Sequence, residues 1–172
     1  MQIIRTTSPL QKLLAYPAHL ARMSESLFVV ASVLVALAFS EGIERGLLQL
    51  GVKQFDMPEL LRYGVPGAFV MTVVAAPIIE TFLLQHLPIT WARLLGARTA
   101  IQFAAGSLPF AVLHFDVGAS GIAAGITGGF ILTMAYLTFM PQSKTKAFWM
   151  TAAIHALYNL VGTALYVSSL PS

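Results

Sequence analysis

The stretch VVAAPIIETFLLQHLP, residues 73–88, decides how the whole chain is read. It is an apolar, helix-length run with a carboxylate, Glu80, in its middle. An ionised side chain at bilayer depth costs about 2.5–3.5 kcal/mol on translocon scales, and more by simulation. If this run spans a membrane, something else in the chain must offset that cost.

The composition says that it does span one. Of 172 residues, 57% are hydrophobic and 10% charged, and the mean hydropathy is +0.78. A soluble domain carries about a quarter charged residues. Backbone polar groups in lipid must be satisfied within the chain, so the expected fold is an all-α polytopic helical bundle. The net charge of +3 does not point to nucleic acid, because the basic residues sit in short loops. Cysteine is absent, which excludes disulfides, a thiol nucleophile and thiolate metal sites.

Moving outward from Glu80, apolar periodicity predicts about five spans. Residues 1–24 read as an interfacial, cytoplasmic segment without a small-residue cleavage site, and residues 25–172 as one transmembrane domain. The first span, LFVVASVLVALAF, is short, and its weak continuation to Leu50 reads as an interfacial turn. Residues 51–66, with Asp56, Pro58, Glu59 and Arg62, read as an extramembrane loop. The second span starts near Gly67, with Pro88 kinking it or marking its exit. The third runs from Arg98 to Phe115, the fourth from Gly118 to Pro141, and the fifth over AFWMTAAIHALYNLVGTALYV.

Arg5, Lys12, Arg22, Arg93, Arg98, Lys144 and Lys146 fall on one side of this layout, and Arg45, Lys53 and Arg62 on the other. The positive-inside rule then predicts a cytoplasmic N-terminus. In the fourth span, Gly121, Gly125 and Gly129 recur every four residues. They predict a groove for close approach of a neighbouring helix, expected to hold the fifth helix in place.

Glu80, His114, His155 and Asn159 are the strongly polar residues within the spans. Taken singly, each has an ordinary structural explanation: a buried imidazole, or an amide that glues two helices. Together they agree in geometry. Glu80 and His114 lie at about equal distances from the turn around Gly96, so an antiparallel hairpin brings them to one height. His155 and Asn159 are four apart and share a helical face, as do Phe110 and His114. By this count His155 sits shallower than Glu80 and His114, Asn159 comes nearer to their depth, and helix tilt is expected to absorb the rest.

A Glu and a His within hydrogen-bond reach hold a water, with the carboxylate as general base. A second His and an Asn can donate to an oxyanion as it forms. These are parts of a hydrolytic site without a covalent nucleophile. Ser107, two turns from His114, lacks a paired base. His19 and His86 read as interfacial.

APIIETFLLQ, FAVLH and HALYN resemble, in order and spacing, three motifs of the CPBP family, the CAAX protease and bacteriocin-processing (Abi) intramembrane endopeptidases. That family includes the type II CAAX prenyl endopeptidases. The resemblance covers residues 67–165. It implies an intramembrane peptide hydrolase in which Glu80 activates water with His114 as its partner, while His155 and Asn159 stabilise the tetrahedral intermediate. Phe110 opens the second motif. The implied substrate is a protein or peptide with a membrane-associated C-terminal or lipidated segment, met in the lipid bilayer.

The chain departs from the family pattern twice. Thr81 stands where the motif has a second glutamate, and Gln85 where it has an arginine. Four apart on one face, they read as a neutral pair that hydrogen-bonds and supports the helix. No cofactor is expected. Glu80, His114 and His155 are zinc-ligand types, but no HExxH spacing places two ligands on one turn. Small size favours a bacterial or archaeal inner membrane. Two other readings use the same residues: a non-catalytic protein that binds a partner peptide or gives immunity to it, and a small transporter with a proton relay.

Overall fold

The structure, a computed structural model, describes residues 24–54 and 64–169. Among these residues there are five helices: α1 Glu25–Gln49, α2 Gly64–Leu94, α3 Thr99–Leu113, α4 Gly118–Phe139 and α5 Lys144–Ser168. All except α3 are long and apolar enough to cross a membrane. At 1.5 Å per residue, the 15 residues of α3 reach roughly 22 Å, short of the roughly 30 Å hydrocarbon core. The fold is an all-α membrane bundle. The N-terminal segment, His19 and residues 55–63 lie outside the described residues.

The helix ends follow local chemistry. Ser24 and Ser143 are N-caps, their hydroxyls accepting from the amides of Leu27 and Lys146. Gly96 and Gly118 turn the chain with φ of 71° each, where a Cβ would be strained. Three boundaries differ from the sequence expectation. The segment after Phe39 continues as helix to Gln49 instead of breaking into a turn. α2 starts three residues earlier than Gly67, and α3 ends at Leu113, with His114 as its C-cap.

Pro88 does not end α2, which continues to Leu94. The helix widens into π turns at Val70–Ala75 and Thr81–His86, each completed just before a proline, Pro77 and Pro88. A proline ring clashes with the carbonyl four residues back and carries no amide hydrogen. The wider turn relieves the clash: Ala76 N–H bonds Met71 O, and Leu87 N–H bonds Phe82 O, both five residues back.

α4 is the centre of the bundle, packed against α1, α3 and α5. Its glycines face α3 and not α5. A Cβ on Gly125 would fall 2.6 Å from His114 Cβ, one on Gly128 2.7 Å from the Phe110 ring, and one on Gly129 2.5 Å from Ser107 O. Small residues drive close helix approach in lipid, where burying apolar surface gains little. Here they seat the residues of the second motif. Phe28 of α1 meets Phe139 of α4 edge to face at 5.0 Å, and an ion pair joins Glu25 to Lys146 where α1 and α5 begin.

Candidate active site

A cavity of about 60 Å³ opens among α1, α2, α3, α4 and α5, enough for a few waters at roughly 10–15 Å³ each. Glu80, His114, His155 and Asn159 all line it, together with Phe110 and Tyr158. The four residues singled out from the sequence thus converge on one space.

Each is positioned by its own helix. Glu80 is the last residue of the α-helical turn between the two π turns of α2. Its carboxylate Oε2 stands 3.8 Å from His155 Nε2. The sequence reading paired Glu80 with His114 first and placed His155 shallower. In the structure the Glu80 carboxylate approaches His155 despite the difference in height, and His114 lines the same cavity.

His114 caps α3, and its Nδ1 donates to Phe110 O at 2.8 Å. A carbonyl only accepts, so Nδ1 carries the hydrogen, and in the neutral ring Nε2 offers a lone pair. Phe110 spaces the two imidazoles. Its ring stacks on His114 at 4.5 Å and 15°, and meets His155 edge-on at 5.4 Å. Gly125 and Gly128 make room for that stack.

Asn159 donates from Nδ2 to Thr72 O at 2.8 Å. The reason lies five residues further on. In the π turn the amide of Ala76 goes to Met71 O, and Pro77 has no amide hydrogen to give Thr72. The orphaned carbonyl takes its hydrogen from Asn159, and the second Nδ2 hydrogen is left over. Thr72 Oγ1 also pairs with Thr163 Oγ1 at 3.1 Å, a second tie between α2 and α5. The five-residue Thr72–Pro77 spacing was the available signal, and the sequence reading passed over it.

Two further residues were missed. Tyr158 donates to Ser40 Oγ at 2.7 Å, fixing the cavity's α1 wall to α5. Ser40 is a buried hydroxyl late in the first apolar run, a polar mark of the same kind as Glu80.

One expectation is corrected. Thr81 and Gln85 are fully buried, yet neither side chain hydrogen-bonds the other or any protein group. They do not line the cavity. His86 lies within α2 and outside the cavity wall, its Nδ1 2.6 Å from Tyr136 OH, against Phe82 and Phe148. Ser107 donates to Phe103 O at 2.9 Å, so its hydroxyl is engaged within its own helix.

Zinc needs three ligands converging on one point. Among the described residues no three His, Asp or Glu side chains do so.

No curated protein and no solved structure matches the chain. The model of the family described as type II CAAX prenyl endopeptidase Rce1-like matches residues 62–161, which hold all four residues around the cavity. With more than half its length matched, and an all-α membrane bundle around that segment, this chain belongs to the Rce1-like family of type II CAAX prenyl endopeptidases.

Proposed function

We propose that the chain is an intramembrane endopeptidase that hydrolyses a peptide bond of a membrane-associated protein or peptide, with a water activated by Glu80. The observation that carries this reading is the convergence of Glu80, His114, His155 and Asn159 on one cavity, with the two imidazoles turned differently. His114 Nδ1 is committed to Phe110 O, so Nε2 accepts. His155 turns Nε2 toward the Glu80 carboxylate, the arrangement of a donor.

A water between Glu80 and His114 Nε2 gives one hydrogen to each, leaving a lone pair free to attack. That lone pair adds to the scissile carbonyl carbon as Glu80 takes the water's proton. His155 Nε2–H and the remaining Asn159 amide hydrogen donate to the carbonyl oxygen as it becomes an oxyanion. Glu80 then passes the proton to the departing nitrogen as the carbon–nitrogen bond breaks. No metal takes part in this scheme.

Family membership supports a protein substrate with a membrane-associated segment. A prenylated CAAX tail is its simplest form. Arg93, Arg98, Lys144 and Lys146 gather at one end of the bundle, which supports a cytoplasmic location for that end and for the start of α1. The Thr81 and Gln85 departures lie outside the cavity wall, which supports retained catalysis over a purely binding role.

The test is peptidomics of membranes from cells expressing wild type or Glu80→Gln. A new C-terminus on a membrane-associated chain, present only with wild type, is expected. Identical peptide sets would overturn the reading.

A further inference from the structure

A second group of polar side chains lies behind the cavity, apart from its wall. Thr81 and Gln85 on α2, Thr133 on α4 and Thr151 on α5 are all 0% exposed. None of their oxygens, nor the Gln85 amide nitrogen, has a hydrogen-bond partner in the protein. Neither does His155 Nδ1, on a side chain that is itself buried. The elements that carry these groups pack together. The π turn Thr81–His86 packs against α3, α4 and α5 alike, and Thr151 is one turn before His155 on the same face of α5.

Buried hydroxyls and amides are costly unless satisfied, and more so in lipid, where unfolding offers no rescue nearby. Natural interiors satisfy such groups with ordered water, each molecule making about three hydrogen bonds. A bound cation fits poorly, since no carboxylate belongs to this group and neutral oxygens alone do not offset a buried charge.

The need of His155 is specific. If Nε2 carries the hydrogen and faces the cavity, Nδ1 is an acceptor and requires a donor from behind. Thr151 and the π-turn residues are the polar groups on the elements that pack there.

We infer that the space behind His155 is a hydrated polar core, in which buried waters bridge Thr81, Gln85 and Thr151 and donate a hydrogen bond to His155 Nδ1. The network fixes the tautomer that presents Nε2–H to the cavity. Thr81, Gln85 and Thr151 are thus positioning residues acting through His155. The consequence for catalysis rests on the proposed hydrolytic reading; the hydration itself does not.

The experiment is ¹⁵N NMR of the full chain labelled with ¹⁵N-histidine in lipid nanodiscs, with Thr151→Val and Gln85→Met as near-isosteric variants and Thr151→Ser as the control that keeps the hydroxyl. His155 is assigned by loss of its signals in His155→Gln. In wild type, Nδ1 of His155 is expected to resonate as a hydrogen-bonded acceptor. In Thr151→Val and Gln85→Met it should move toward the unbonded value, with Thr151→Ser restoring the wild-type position. Melting temperature is read alongside. A shift unchanged in both variants, or melting temperatures raised in both as expected for a dry core relieved of orphaned polar groups, would overturn the inference. If either apolar variant fails to fold, the wild-type spectrum decides: a hydrogen-bonded Nδ1, which no protein group supplies, supports the core, and an unbonded Nδ1 overturns it. Failure of peptide cleavage with this spectroscopic pattern intact would count against the hydrolytic reading alone.

Discussion

Glu80 Oε2 and His155 Nε2 face each other at 3.8 Å from two helices separated by the length of α3 and α4. The gap exceeds a hydrogen bond, and both groups line one cavity. That arrangement answers why a carboxylate can lie within a membrane span: it lines a small cavity and has a polar neighbour, instead of facing acyl chains.

The water-activating pair is expected to be separable by substitution. His114→Ala removes the acceptor that orders the water and should lower the cleavage rate by about 10²–10⁴-fold, the usual contribution of a positioned proton-transfer group. Rate measurements on purified protein check this. A chelator should leave the wild-type rate unchanged, since no metal takes part in the proposed chemistry.

A glycine of α4 and one of α5 should show opposite signs. Gly128→Ala places a methyl 2.7 Å from the Phe110 ring, and overpacking of this kind costs about 1–3 kcal/mol. It should also reduce activity by moving the ring between the two imidazoles. Gly162 has open space around it, so Gly162→Ala should be neutral or stabilise by up to about 1 kcal/mol through helix propensity. Thermal melts in detergent, with cleavage rates alongside, measure both.

Asn159 and Pro77 should be energetically coupled although their side chains are not paired. Asn159→Ala leaves Thr72 O without a donor, at a cost of about 1–3 kcal/mol. In a Pro77→Ala background the restored amide can serve Thr72 O, so the same Asn159→Ala change should cost less. A double-mutant cycle on unfolding free energy gives the coupling, with about 0.5 kcal/mol or more expected.

Tyr158→Phe should loosen α1 from α5 by removing the bond to Ser40. Hydrogen bonds within membrane bundles are worth about 0.6 kcal/mol on average, reaching about 1.7. A modest drop in melting temperature is therefore expected, matched by Ser40→Ala and not increased in the double variant.

Much of this architecture is legible in the residues because lipid imposes simple rules. Apolar runs locate the helices, and intramembrane polar groups such as Glu80 and His114 stand out because their presence is costly. Equal spacing about the turn at Gly96 brings α2 and α3 into register, and four-residue spacing puts His155 and Asn159 on one face. Other features depend on geometry that spacing does not carry. The α4 glycines mark a close contact without naming which neighbour fills it, and α3, not α5, does so. Pro88 reads as a kink or an exit, and the π turn before it, packed against α3, α4 and α5, is not signalled by spacing. The partner of Glu80 depends on helix crossing, which residue counting treats as parallel. The Thr81–Gln85 spacing suggests a pair, whereas both side chains are buried without a hydrogen bond between them.

The central claim is that Glu80 activates the attacking water in this cavity. Its most direct test is the cleavage rate of purified wild type and Glu80→Gln in nanodiscs, on the substrate identified by peptidomics, with equal melting temperatures verified first. Loss of about 10²–10⁴-fold or more in Glu80→Gln is the expected result, and cleavage by Glu80→Gln at the wild-type rate would contradict the account.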